Sequence, residues 1–283
     1  MIEVKDISFA YPGTRQRVLD GFNLSVESGR VYGLLGRNGT GKSTLLYLAS
    51  GLLRPKKGQV LVDGMEAWRR SPQMLSRLFL VPEEFDLPKM KLRQYVSLIQ
   101  PFYPKFNNEV LTGCLSAFDL DGVTDLRQLS MGQKKKVYMS VALAAGTEWL
   151  LMDEPTNGLD IPSKAIFRQV VAKHLSDETT LMISTHQVHD VEQLIDHVII
   201  LDRSRLLCDS SVGEITEQFS FQTRQADQMD SDVLYAEPSL QGNNVVVART
   251  ADVPETQLNL ELFFSAITLG KIQMKPTHEN KTL

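Results

Sequence analysis

Features that would tie a protein to a bilayer, an oxidising compartment or a nucleic acid are scarce in this sequence. Among 283 residues there are two cysteines, Cys114 and Cys208. They have no metal or redox spacing and are expected to be reduced thiols in a cytoplasmic protein. No segment approaches the ~20 apolar residues that span a bilayer; Val198-Ile199-Ile200-Leu201 stops at Asp202. Met1–Asp6 has neither the basic start nor the apolar core of a secretory signal. Charge of one sign is also missing. The net charge is −4, and from Glu214 onward there are 10 acidic and 5 basic residues, against 24 and 25 upstream. A dedicated nucleic-acid binder would show a basic surplus, so no nucleic-acid partner is expected. What is ample is apolar content, 42 %, enough for a sizeable core.

Patterning divides the chain. Ile2, Val4, Ile7, Phe9, Phe22, Leu24 and Val26 are separated by polar positions, as in half-buried strands. Val60-Leu61-Val62 ends at the turn signal Asp63-Gly64. From about 87 to 126 the spacing becomes helical. Trp149–Met152 and Thr180–Ile183 are nearly all apolar, as expected of parallel strands covered on both faces. Beyond about Cys208 the composition shifts: Phe219–Asp232 is polar with little patterning. Strand-like Val233–Tyr235 and Val245–Val247 follow, then an amphipathic Leu258–Leu269 and a tail expected to fray from Lys271.

Residues 36–44 read Gly-Arg-Asn-Gly-Thr-Gly-Lys-Ser-Thr, directly after the apolar run Val31–Leu35. Gly36, Gly39 and Gly41 allow successive backbone N–H groups to turn toward phosphate. Lys42 supplies positive charge for the β- and γ-phosphates, and the Ser43 hydroxyl suits a magnesium shell. The helix starting there adds its positive dipole end. Asn38, Thr40 and Thr44 complete the expected nucleotide-binding loop.

Two further features bear on the same chemistry. Leu150–Met152 leads into Asp153-Glu154. A strand beside the loop strand would bring Asp153 to the magnesium, and Glu154 to the water attacking the γ-phosphate. Leu129-Ser130-Met131-Gly132-Gln133 opens a helix with Ser130 as N-cap, a second anion-binding helix start. The run Lys134-Lys135-Lys136 in its first turns reads foremost as a solvated face, and otherwise as positive charge supporting a bound triphosphate.

These residues together resemble the ATP-binding subunit of an ATP-binding-cassette transporter. The signature of that family is usually Leu-Ser-Gly-Gly-Gln; here Met131 replaces the first glycine, while Ser130, Gly132 and Gln133 stand in place. The resemblance implies a head-to-tail dimer in which Ser130 and Gly132 cap the γ-phosphate held by the other subunit. It places Tyr11 as the aromatic residue on adenine, Asp160 in the loop joining the two sites, and His186 as the switch histidine on the γ-phosphate. The glutamine that usually touches magnesium is replaced within Val81-Pro82-Glu83-Glu84, by Glu83 or by Glu84. The implied fold is an α/β P-loop NTPase with a mixed sheet, an N-terminal antiparallel β-subdomain and a helical subdomain at about 87–140. A small C-terminal α+β appendage would follow, dividing the chain into 1–209 and 210–283.

The implied catalytic set is Glu154, His186 and Lys42, with Ser43, Glu83 and Asp153 at Mg2+ and ATP as the nucleotide. With no spanning segment, the permease is expected to be a separate chain, holding this one at the inner face of the membrane. The partner ATPase is a second copy or a sister subunit. The acidic-apolar stretch Leu260-Glu261-Leu262-Phe263 resembles one near the end of small-exporter subunits, which implies export of a small molecule, drug or peptide. A cassette ATPase acting on nucleic acid or ribosomes is the alternative. A small-molecule kinase would leave Ser130–Gln133 and His186 without a purpose.

Overall fold

The computed structural model describes residues 1–14, 16–250, 253 and 255–274. The chain opens with the antiparallel pair β1 (Ile2–Phe9) and β2 (Leu19–Val26), then β3 (Val31–Leu35) runs into the phosphate loop and α1 (Lys42–Ala49). β4 (Lys57–Val62) and β5 (Met65–Glu66) return to the first sheet, which has the order β2-β1-β4-β5. A short α2 (Pro72–Leu75) precedes β6 (Leu78–Val81). The helical segment holds α3 (Leu92–Ile99), α4 (Asn108–Ala117) and α5 (Met131–Ala144). Then come β7 (Trp149–Asp153), α6 (Ile161–His174), β8 (Thr180–Thr185), β9 (His197–Asp202) and β10 (Arg205–Ser211). The appendage comprises α7 (Val212–Gln218), β11 (Phe219–Arg224), β12 (Val233–Ser239), β13 (Gly242–Ala248) and α8 (Leu260–Thr268).

The central sheet has the order β10-β9-β3-β8-β7-β6, parallel except for β10, which runs antiparallel to β9. It is the mixed sheet expected, and the first sheet is the expected antiparallel subdomain. One detail of the order differs. β7 does not lie beside the loop strand; β8 stands between them, so Asp153 reaches the loop across an intervening strand.

Side chains on successive residues of a strand point to opposite faces, and here each face meets its own core. Leu34, Leu151, Met182, Ile199 and Leu201 pack against α1 and the first sheet. Leu35, Leu150, Met152, Leu181, Ile183, Val198 and Ile200 pack against the helices and the appendage. This two-sided burial explains why these strands are apolar throughout.

The appendage departs from expectation in three places. The expected boundary at 209/210 falls inside β10, which ends at Ser211. Phe219–Asp232 is not unpatterned: β11 occupies its first half, pairing with β13 from Phe219↔Ala248 to Arg224↔Asn243. Phe219 and Phe221 alternate into the core beside Phe263 of α8. The tail is not frayed at its start either, because Ile272 is buried in that core; residues 275–283, with His278, lie outside the described residues.

Candidate functional site

The site is built at the carboxyl ends of β3, β7 and β8. Gly36 has no room for a side chain: a Cβ would lie 2.6 Å from the Leu201 carbonyl oxygen of β9 and 2.6 Å from Thr40 Oγ1. Gly39 and Gly41 are needed for another reason, their positive φ of 80° and 106°. Gly41 is the left-handed N-cap of α1, so the chain turns sharply before the helix begins at Lys42. Thr40 Oγ1 donates to the Arg37 carbonyl at 2.9 Å and closes the loop on itself. Tyr11 stands over the first turn of α1, its hydroxyl 3.1 Å from Thr44 Oγ1, with an edge-to-face contact to Phe9.

Lys42 is buried, and its Nζ donates to the Gly36 carbonyl at 2.8 Å. It lies 3.9 Å from Glu154 Oε1. Burial lowers its proton affinity, while Glu154, Asp153 and Glu83 act the other way. A lysine caged among carboxylates and loop carbonyls is poised to exchange them for phosphate oxygens, which offer it denser negative charge.

Asp153 is fully buried, and Oδ1 accepts from Ser43 Oγ at 3.0 Å and from Ser184 Oγ. Among the described residues Oδ2 has no hydrogen-bond partner. A buried, half-satisfied carboxylate is costly unless something else completes it, and a divalent cation held partly through water fits that description. Among the described residues no ready-made cluster of metal-binding side chains exists. Magnesium at phosphates needs only one or two protein carboxylates plus a hydroxyl, and Asp153 and Ser43 supply that set. Tyr47, one turn into α1, sits beside them; burial and the Asp153 charge push its hydroxyl up to about 12.

Glu154 follows the end of β7 with φ of 46°, a region where side-chain-bearing residues are uncommon. Its N–H donates to the Ser184 carbonyl at 2.9 Å. Its carboxylate is closely held: Oε1 accepts from the His186 backbone N–H at 3.1 Å and lies 2.7 Å from His186 Nδ1, and Oε2 accepts from Thr185 Oγ1 at 3.1 Å. His186 thus contacts the carboxylate expected to activate water, and leaves Nε2 free of that contact.

The remaining expected residues lie outside this cluster. Ser130 caps α5, accepting from the Gln133 N–H at 3.3 Å, while Gln133 Oε1 accepts the Ser130 N–H at 3.0 Å. Gly132 faces the Gly158 carbonyl, 3.8 Å from where a Cβ would stand. Asp160 caps α6 through the Ser163 N–H, and the Ser163 hydroxyl together with that N–H holds its carboxyl below the usual range. Among the described residues, none of these four bonds the 36–44 loop. Glu83 does not reach Ser43 or Asp153 by hydrogen bond; its Oε1 accepts from Asn157 Nδ2 at 2.8 Å.

Sequence reasoning missed Ser184 and Thr185, although a hydroxyl pair before His186 at a strand end was a readable signal. It also misplaced Lys135. That residue is no part of a solvated face: it is 7 % exposed and donates to two backbone carbonyls.

A loop of this shape, with its lysine, is a cradle for a nucleoside triphosphate. The carboxylate pair beyond it gives the class: a P-loop nucleotide hydrolase. The sequence model of the ABC transporter family matches residues 19–157. The chain is 30 % identical over 229 residues to a putative ABC transporter ATP-binding protein, alr3946, of Nostoc sp., spanning 77 % of this chain and 83 % of that one. It is 28 % identical over 221 residues to the ABC transporter ATP-binding protein YtrB of Bacillus subtilis, spanning 77 % and 75 %. It is 29 % identical to a methionine import ATP-binding protein, MetN, of Carboxydothermus hydrogenoformans, spanning 76 % and 67 %. A solved ATP-binding subunit of an ABC transporter superimposes with a TM-score of 0.65 at 26 % identity, covering 76 % of this chain and 91 % of that one. The chain belongs to the ABC transporter ATP-binding proteins and, with them, is an ATPase. No helix among the described residues is long and apolar enough to cross a membrane.

Proposed function

We propose that this subunit hydrolyses ATP in a head-to-tail dimer and so drives a separate membrane permease. Tyr11 stacks on adenine, the 36–44 loop wraps the phosphates, and Lys42 turns from Gly36 to the β- and γ-phosphates. Ser43 and Asp153 would hold Mg2+, with Glu83 joining on release from Asn157. Bound there, the ion would neutralise the charge on the phosphates. Glu154 takes the proton of the attacking water, and His186, touching Glu154, orients the γ-phosphate. Ser130, Gly132 and Gln133 at the start of α5 complete the partner's site, with Asp160 between the two.

The observation that carries this reading is the Glu154 carboxylate, held on one side by His186 and Thr185 and standing 3.9 Å from Lys42. Glu154→Gln keeps the shape and removes the base. It should bind ATP, lose about 100- to 10,000-fold in turnover, and run as an ATP-dependent dimer in size-exclusion chromatography. A variant that still turns over near the wild-type rate would take the base role away from Glu154.

Export of a small molecule, drug or peptide is the direction we propose. It rests on the single cassette followed by a short appendage with the acidic-apolar helix α8. The chain would then sit on the cytoplasmic face of the membrane, held by its permease, with residues beyond Ser211 as the appended unit. ATP-dependent uptake into inverted vesicles carrying both proteins would support export; uptake only into right-side-out vesicles would reverse it.

A further inference from the structure

The three consecutive lysines of α5 have three different surroundings. Lys134 Nζ pairs with Asp86 Oδ1 at 2.8 Å, and Lys136 Nζ lies 5.8 Å from the centre of the Phe118 ring. Lys135 turns inward, 7 % exposed, and donates to the Glu154 carbonyl at 2.8 Å and the Asn157 carbonyl at 2.9 Å. An ammonium group is an expensive means of filling a buried space in an α/β protein. A residue whose packing role an apolar side chain could fill needs another reason to be charged.

The two carbonyls belong to the ends of one tight turn. Asn157 N–H donates to the Glu154 carbonyl at 3.2 Å, so that oxygen accepts from both the turn and the lysine. Glu154 holds φ of 46°, where a residue with a side chain persists only if its surroundings over-determine it. The N–H is fixed by the Ser184 carbonyl; the carbonyl is fixed by Lys135. The other end of the turn is tied as well, since Asn157 Nδ2 reaches Glu83 Oε1.

We propose that Lys135 is a positioning residue that clamps the 154–157 turn and so aims the Glu154 carboxylate at the reacting water. The inference rests on the reading of Glu154 as the base. Among the described residues Lys135 bonds the Glu154 and Asn157 carbonyls and makes no ion pair with the Glu154 carboxylate; it acts through the backbone that carries that carboxylate. It also lies on the same helix as Ser130, the residue proposed to meet the partner's nucleotide. A shift of α5 at one nucleotide would therefore reach the base beside the other through this side chain.

The test uses the full chain with Lys135→Met, which keeps an unbranched stem and removes every donor, and Lys135→Gln, which keeps donors without charge. Loss of aim at a reacting group costs about 100-fold. Single-turnover hydrolysis by Lys135→Met should fall by about that factor, with affinity for a fluorescent ATP analogue changed by less than about threefold. Lys135→Gln should fall between Lys135→Met and the wild type. In a Glu154→Gln background, Lys135→Met should cost less than about twofold more, because the group it aims is already gone. Hydrolysis by Lys135→Met within about twofold of wild type, or an undiminished further loss in the Glu154→Gln background, overturns the proposal. If Lys135→Met does not fold, Lys135→Gln carries the test: unchanged turnover, or a loss matched by weaker nucleotide binding, overturns it. Near wild-type hydrolysis by Glu154→Gln alone is a separate result, which defeats the reading of the base itself.

Discussion

Two glycines of the phosphate loop are required for different reasons, and alanine substitution should separate them. At Gly36 an added Cβ would lie 2.6 Å from both the Leu201 carbonyl oxygen and Thr40 Oγ1. The threonine hydroxyl can rotate away. The Leu201 carbonyl cannot, because it belongs to β9, buried within the sheet and paired with Leu206 of β10. The loop must then lift from the strand, an overpacking cost of about 1–3 kcal/mol. At Gly39 a Cβ would meet nothing within 4 Å, and the cost comes from φ of 80° alone, about 1–2 kcal/mol. In the free chain the loop relaxes part of either strain, which appears as a lower Tm. The part it must reimpose to hold phosphate appears as weaker binding, tenfold in Kd for about 1.4 kcal/mol. Calorimetry and ATP titration on the same samples measure both parts. Gly39→Asn is the decisive companion, because asparagine tolerates the left-handed region and should recover much of what Gly39→Ala loses. No side chain should recover Gly36. An alanine at Gly36 with unchanged Tm and ATP affinity would refute the packing argument, and Gly39→Asn no better than Gly39→Ala would refute the conformational one.

Other expectations follow from contacts already described. Lys42→Ala should weaken nucleotide binding itself, and unchanged affinity by titration would contradict the placement of the phosphates. Tyr11→Phe should bind ATP about as tightly as wild type, since the Thr44 bond is half exposed. Tyr11→Ala should lose roughly tenfold, the lower part of the range for a base stacked on an aromatic ring; equal affinities for the two variants would remove Tyr11 from adenine. Phe263→Ala removes a fully buried ring that lies near Phe219 and Phe221. It should cost about 3–5 kcal/mol in chemical denaturation, and a loss under about 1 kcal/mol would mean the appendage is not packed as described.

The nucleotide loop was legible because its chemistry is local: adjacent residues carry the turn, the charge and the hydroxyl. The carboxylate pair and His186 were legible for a related reason, since each closes an apolar strand and strand ends in such a sheet meet along one edge. What was not legible depends on the third dimension. β11 was hidden because its two apolar members, Phe219 and Phe221, stand among polar residues, and it becomes a strand only when β13 offers its edge. Lys135 sat in a run of like charges, which ordinarily faces water; only the turn beneath it supplies the carbonyls that draw one lysine inward. The resemblance placed Glu83 at the magnesium; its bond to Asn157, a partner 74 residues away, is a contact that no local pattern could show. The order of strands, with β8 between β3 and β7, could not be read from apolar runs that look alike.

The appendage meets the ATPase core directly after His186. Leu260 at the start of α8 donates its N–H to Glu192 Oε1, and one apolar cluster runs from Leu35 and Val198 through Val188 and Val191 to Phe219, Val246 and Phe263. Two parts that share a core melt together. Heat should therefore unfold this chain in a single cooperative transition, with the segment beyond Ser211 giving no separate endotherm. Cutting the chain there would not release a neutral tail. It would strip one wall from the core behind His186 and expose an apolar face to aggregation.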